Sequence, residues 1–221
     1  MKNYVITIAR GFGSGGKQMG IRLAEDLGIH CYENRILTLA SQMAGEPEKD
    51  FAKSDEQLRR GYFGALLHKL PQRLLPHPQT ERFTSDDYVY QYEAKIVREL
   101  AESESCVIIG KAADHVLKDY PNVLSIYVEA PRPYCRDRIM KRMGVTADEA
   151  DELISKTDRY RAEYYKYHTG GNYWTNPVNY DLTLNPSRLG WEACVAVIED
   201  ALSRKLGVQP PKDCRNHPID L

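Results

Sequence analysis

Seven residues, Gly11-Phe12-Gly13-Ser14-Gly15-Gly16-Lys17, have the types and spacing of a loop that holds phosphate. They fit the pattern G-x-x-x-x-G-K. Glycine is required because backbone N–H groups must turn inward and approach phosphate oxygens with no Cβ in the way. An apolar run from Tyr4 to Ala9 precedes the loop and a helical pattern follows it. The unpaired N–H groups and positive dipole end of that helix add to the attraction for an anion. Lys17 then reaches the outer phosphates of a nucleoside triphosphate. The residues expected to line this site are Gly11, Gly13, Ser14, Gly15, Gly16, Lys17 and Gln18. Gln18 stands where such loops ordinarily carry a Ser or Thr hydroxyl that ligates Mg²⁺.

Two further constellations lie downstream. Thr146-Ala147-Asp148-Glu149 has the form of a capping box, which predicts a helix start. Along that helix Asp158, Arg161, Tyr165 and His168 follow at spacings of three, four and three, which puts them on one face. An arginine beside an aspartate, brought near a phosphate loop, can stabilise charge on a phosphoryl group in transfer. Taken alone, the same face reads as readily as a solvated, salt-bridged helix. The other constellation is Gly110-Lys111-Ala112-Ala113-Asp114, directly after the run Val107-Ile108-Ile109. Ligands of parallel sheets bind beyond the carboxyl ends of the strands, which is where Lys111 and Asp114 fall.

The elements that must position these residues alternate as short apolar strands and longer helices, the pattern of an α/β sheet. Strands are expected at 4–9, 29–32, 106–109, 123–128 and 180–184. Met19, Leu23 and Leu27 mark a helix that stops at Gly28. Another follows Pro131 with Cys135, Ile139 and Met143 on one stripe. A last helix from Ser187 to about Lys205 turns Trp191, Val195, Ile198 and Leu202 inward. Residues 45–90 interrupt the rhythm with a charged stretch and an amphipathic face of Leu58, Tyr62, Leu66 and Leu70, and read as a helical insertion. The tail from 206 to 221 is Pro-rich and polar.

The composition excludes several alternatives. With 30 basic and 31 acidic side chains in 221 residues, the chain lacks the cationic excess of an electrostatic nucleic-acid binder. No apolar run approaches the roughly 20 residues of a membrane span. The opening residues read as a strand, not a signal peptide. Five scattered cysteines with no C-x-x-C pair argue against a disulfide framework, and the six histidines form no zinc-ligand spacing. No metal-ligating set is predicted from the protein's own side chains, no G-x-S-x-G elbow is present, and the cytoplasm is the expected compartment. The aromatic run Tyr160, Tyr164, Tyr165, Tyr167, Tyr173 and Trp174 suits either base stacking or helix packing.

With these segments in place, the chain resembles the cytidylate kinase-like family of P-loop nucleoside monophosphate kinases. The pieces that carry the likeness are Ile8 to Lys17, Val107 to Lys111, Thr157-Asp158-Arg159-Tyr160-Arg161 and Asn179 to Asn185. The resemblance implies a single three-layer P-loop domain over 1–205, with a five-stranded parallel sheet. It also implies that residues 45–90 bind the acceptor and that residues 156–175 form a lid. It implies ATP as phosphoryl donor with Mg²⁺, and a nucleoside monophosphate acceptor, CMP or dCMP foremost. Lys17, Asp158, Arg159 and Arg161 take the catalytic positions, and Lys111 and Asp114 the acceptor side; Lys111 stands where cytidylate kinases usually have Arg. Two features depart from the pattern: Gln18, and a strand before Gly110 that ends in Ile109 where an acidic residue is expected. A kinase of another small acceptor and a nucleotide-binding regulator without catalysis are the remaining readings.

Overall fold

The computed structural model describes residues 3–33, 36, 39–40 and 86–209. Its strands are β1 (Val5–Arg10), β2 (His30–Tyr32), β3 (Cys106–Ile109), β4 (Val123–Val128) and β5 (Leu182–Leu184). All five are parallel, in the order β2-β3-β1-β4-β5. A parallel sheet needs helical crossovers that cover both faces, so its strands read as unbroken β-branched runs. That is why β3 and β4 fall at their expected bounds, whereas the short edge strand β5 begins two residues later than its pattern suggested. The helices are α1 (Gly16–Leu27), α2 (Asp86–Ser103), α3 (Ala113–Val116), α4 (Arg132–Met143), α5 (Ala147–His168), α6 (Pro186–Leu189) and α7 (Trp191–Leu206). The single last helix expected from Ser187 is two: Gly190, at φ 80°, separates α6 from α7. α2 runs through residue 90, where the insertion was expected to end. The amphipathic helix expected at 58–70, Cys214 and the tail beyond 209 lie outside the described residues.

Each face of the sheet has its own core. Ile6, Ile8, Leu124 and Ile126 pack against Met19 and Leu23 of α1 and Cys194, Ile198 and Leu202 of α7. On the other face Val5, Cys106 and Ile108 meet Val97 and Leu100 of α2 and Leu117. A third cluster of Ala9, Tyr127, Tyr165, Trp174 and Tyr180 joins the sheet to α5. The stripe on α4 buries Cys135 and Ile139 but leaves Met143 48% exposed at its last turn, where the helix runs off the core. The capping box at Thr146 is formed: its hydroxyl accepts from the Glu149 N–H at 3.4 Å and the Glu149 carboxylate accepts from the Thr146 N–H at 2.8 Å. Among the described residues no helix is long and apolar enough to cross a membrane.

The approach of α1 to the sheet sets the position of the phosphate loop, and Gly20 permits it. A Cβ there would stand 2.9 Å from Ile109 Cδ1 and 3.0 Å from Ile8 Cδ1. Gly20→Leu should therefore destabilise the protein by about 1–3 kcal/mol through overpacking. Urea unfolding should register a lower midpoint, and an unchanged midpoint would mean that α1 is free to shift away.

Candidate active site

β1 is the central strand, and the loop at its carboxyl end carries the glycines. It turns at Gly13 and Gly15, with φ of 86° and 97°, values an L side chain rarely adopts. Ser14 between them is fully buried. Its hydroxyl donates to the Gly11 carbonyl at 2.8 Å and accepts from the Gly16 N–H at 3.4 Å, so it braces the loop from inside. Lys17 and Gln18 follow on the first turn of α1, both half-buried.

Two acidic residues that the sequence reading passed over flank this loop. Glu33 comes directly after β2. Its Oε2 lies 2.5 Å from Lys17 Nζ and its Oε1 3.0 Å from Arg10 Nη2. Burial alone would raise the Glu33 carboxyl, but Arg10 and Lys17 outweigh it and hold the group below its ordinary range. Glu129 follows β4. Arg10 pairs with Val128 in the sheet, which sets Glu129 level with Gly11. The Glu129 carboxylate accepts from Tyr127 Oη at 2.5 Å and from the Ala130 N–H at 2.9 Å. A side chain at position 11 would run into it. The acid expected at the end of β3 is thus absent there, and one stands at the end of the strand on the other side of β1.

The expected face of α5 is present, and each member has a partner. Asp158 Oδ1 accepts from the Phe12 N–H at 2.8 Å. Burial raises the Asp158 carboxyl, although that N–H and Arg161 favour its charged form. Arg161 Nη1 donates to the Arg10 carbonyl at 3.1 Å and lies 3.3 Å from Asp158 Oδ1. Tyr165 Oη donates to Asp114 Oδ2 at 2.6 Å, and the His168 ring stacks on Tyr90 at 4.0 Å. The Phe12 ring receives two guanidinium groups, with Arg161 Cζ 5.6 Å and Arg142 Cζ 5.8 Å from its centroid. Arg159 lies exposed; two residues from Arg161, it is about 200° around the helix.

Lys111 and Asp114 each have a partner outside the glycine loop. Lys111 Nζ sits 2.9 Å from Glu93 Oε1, a carboxylate whose side chain is only 2% exposed and which also accepts from Tyr164 Oη at 2.7 Å. Lys111 and Ala112 both have positive φ, 61° and 48°. Asp114 is buried, and burial outweighs its hydrogen bonds to leave its pKa raised to about 6. It lines a polar cavity of about 490 Å³ with Ser125, Tyr180, Asp181 and Lys205, apart from the glycine loop. The aromatic run divides in the structure: Tyr165 and Trp174 are core, whereas Tyr160, Tyr167 and Tyr173 are exposed. Among the described residues no three His, Cys, Asp or Glu side chains gather as a metal cage.

A parallel sheet in this order, with a phosphate loop at its central strand and an arginine-bearing helix laid across that loop, is the build of a kinase-like phosphotransferase. The chain belongs to the cytidylate kinase-like family, whose model matches residues 5–188. Among curated proteins it is 25% identical to the cytidylate kinase of Methanopyrus kandleri, over 94% of this chain and 97% of that one. It is 24% identical to the cytidylate kinase of Methanosarcina barkeri, over 91% and 98%. Among solved structures an uncharacterized protein from Eubacterium ventriosum superimposes with a TM-score of 0.67 at 21% identity, over 91% of this chain and 99% of that one. A shikimate kinase from Bacteroides thetaiotaomicron shares the fold at a TM-score of 0.51 and 14% identity, over 90% and 98%.

The buried Asp114 generates a pH dependence with a definite sign. Its folded pKa of about 6 lies above the ordinary aspartate value of 3.8, so between these values the folded state binds more protons than the unfolded one. Stability from this group therefore falls as pH rises from about 4 to about 6 and is flat above. Asp114→Asn keeps an acceptor for Tyr165 and removes the ionisation. It should be more stable than wild type by about 3 kcal/mol at pH 8, with the gap closing by about pH 4. Urea melts of both proteins across this range check it; a gap independent of pH would remove Asp114 as its source.

Proposed function

We propose that the protein transfers the γ-phosphoryl group of ATP to a nucleoside monophosphate, with CMP or dCMP as the preferred acceptor. The observation that carries this is the glycine loop on β1 with Lys17 at its exit and Asp158 and Arg161 of α5 hydrogen-bonded to its backbone. The choice of a cytidine acceptor draws on the two archaeal relatives named cytidylate kinase.

In this reading the loop N–H groups and the α1 terminus receive the donor phosphates, and Lys17 turns from Glu33 to their oxygens. An acceptor phosphate oxygen bonds to the γ-phosphorus as the bond to the bridging oxygen breaks, and ADP leaves with that electron pair. An ionised phosphate needs no general base, so the work is positioning and charge stabilisation. Arg161 meets the transferring group and Asp158 orients it; Arg159, on the far side of α5, is given a lesser part. Lys111, already matched by Glu93, borders the acceptor and orients more than it attracts. Residues 156–175 act as the lid. Mg²⁺ generally keeps several waters and takes one or two protein oxygens beside substrate phosphates, and the Glu33 carboxylate next to Lys17 and the Gln18 amide fit that demand. The metal would supply neutralisation of the β- and γ-phosphate oxygens.

The test is ATP consumption against a panel of nucleoside monophosphates and other small acceptors, with Mg²⁺ and with Mn²⁺. CMP or dCMP should give the highest kcat/KM, and Lys17→Ala should lower turnover on the order of 10³-fold while the unfolding midpoint stays put. Gln18→Thr should keep or raise the Mg²⁺-dependent rate. Turnover with a different acceptor would move the specificity. ATP binding with no transfer to any acceptor would favour a nucleotide-binding regulator.

A further inference from the structure

The polar cavity of about 490 Å³ between α3, β4 and the end of α5 contains no residue of the glycine loop and has the size of a small-ligand site. Its walls have one chemical bias. Five residues with hydroxyl groups line it, and each spends its proton inside the protein. Ser125 Oγ donates to the Asn179 carbonyl at 3.2 Å, and Thr169 Oγ1 to the Tyr165 carbonyl at 2.6 Å. Tyr120 and Tyr165 donate to the carboxylates of Glu102 and Asp114, and Tyr180 to the Trp174 carbonyl. What these oxygens still offer is lone pairs, and the carboxylates of Asp114 and Asp181 add acceptors alone. Charge along the walls cancels. Asp114 and Asp181 stand against Lys118 and Lys205, with Lys205 Nζ 2.5 Å from Asp181 Oδ2. Burial and the neighbouring Lys118 outweigh Asp119 and hold the His115 imidazole below its ordinary range, which leaves it neutral above pH 7.

We infer that this cavity is a second binding site, for an uncharged molecule rich in hydroxyl groups and of about nucleoside size. The hydroxyl protons of such a ligand meet the lone pairs of Ser125, Thr169 and Asp114. A phosphate or carboxylate would bring acceptors to a wall of acceptors, and an ammonium group would meet the exposed Lys118 and Lys205. A ribonucleoside and a free pentose share the required chemistry, a run of vicinal hydroxyls. The site takes no part in the transfer proposed above, yet it is linked to the glycine loop. Tyr165, hydrogen-bonded to Asp114, lies one helical turn from Arg161, whose guanidinium donates to the Arg10 carbonyl. A ligand that bonds Asp114 therefore alters the hold of α3 on α5, and with it the seat of Arg161.

Calorimetry on the full-length chain tests this, with cytidine and ribose as probes. Cytidine should bind with a Kd on the order of 10⁻⁴ M, and ribose more weakly because it makes fewer contacts. Ser125→Leu, which puts bulk into the cavity, should weaken cytidine binding on the order of 10-fold or more. Thr169→Val should weaken it several-fold through the lost acceptor. Tripolyphosphate affinity within about 3-fold of wild type shows that the loop of each variant is intact. Saturating cytidine should change tripolyphosphate affinity about 5-fold or more, and tripolyphosphate should change cytidine affinity by the same factor. Tyr165→Phe should abolish that linkage while cytidine still binds. Unchanged cytidine affinity in Ser125→Leu would overturn the assignment, as would no binding of either probe at about 10 mM. Ribose 5-phosphate binding more tightly than ribose, with the gain lost in Lys118→Ala, would overturn the uncharged class. Equal tripolyphosphate affinity with and without cytidine would overturn the link to the loop.

Discussion

For the proposed reaction, the carboxyl end of β1 has to receive several negative charges in a place where three carboxylates already stand. Glu33, Glu129 and Asp158 surround the glycine loop, and Arg10, Lys17 and Arg161 are interleaved with them. At an effective dielectric near 20, a pair of unit charges about 4 Å apart interacts with about 4 kcal/mol, which the exposure of Lys17 reduces and the burial of Arg10 beside Glu33 preserves. The arrangement is workable because Glu33 has two cationic partners. In the proposed reading, when Lys17 turns to a phosphate Arg10 remains, and the carboxylate is not stranded in a partly buried site, the situation that makes loss of one ion-pair partner so costly. An anion can then bind by exchange, with no net separation of charge.

The second organising element is α5, which serves as a ruler along the end of the sheet. Its 3.6-residue repeat sets Asp158, Arg161, Tyr165 and His168 opposite the loop backbone, the β1 carbonyl end, Asp114 and Tyr90 in turn. The register is anchored from below by the buried cluster of Tyr127, Trp174 and Tyr180, with Tyr180 Oη donating to the Trp174 carbonyl. The capping box fixes where the helix begins, so the face cannot slip by a residue without losing that cap.

Much of this was legible in the order of residues, for reasons that can be named. β3 and β4 are covered on both faces, so their runs of Val, Ile and Leu mark the strands unambiguously. The loop motif and the α5 face were legible because each is local, encoded within a turn or a few turns of chain. What escaped was everything that depends on sheet order. Glu33, Glu93 and Glu129 each reach the site or its edge from a separate element, and nothing in their own neighbourhoods singles them out. The sequence pattern leads one to expect an acid at the end of β3; the strand order puts one at the end of β4, on the other flank of the same central strand.

At the end of β3 the backbone runs left-handed for three residues, Gly110, Lys111 and Ala112, with φ of 77°, 61° and 48°. For residues with a Cβ this conformation costs roughly 1–2 kcal/mol each. Glycine would occupy positions 111 and 112 with less strain, yet a lysine stands at the first of them, and its ammonium group is the partner of a carboxylate sealed beneath α5. Strain in the turn and burial of the charge are therefore one arrangement. The bend lifts Lys111 back toward Glu93, and the ion pair holds the bend. The turn acts as a sprung catch between β3 and α2, and its tension is borne by two neighbouring residues and a single charge.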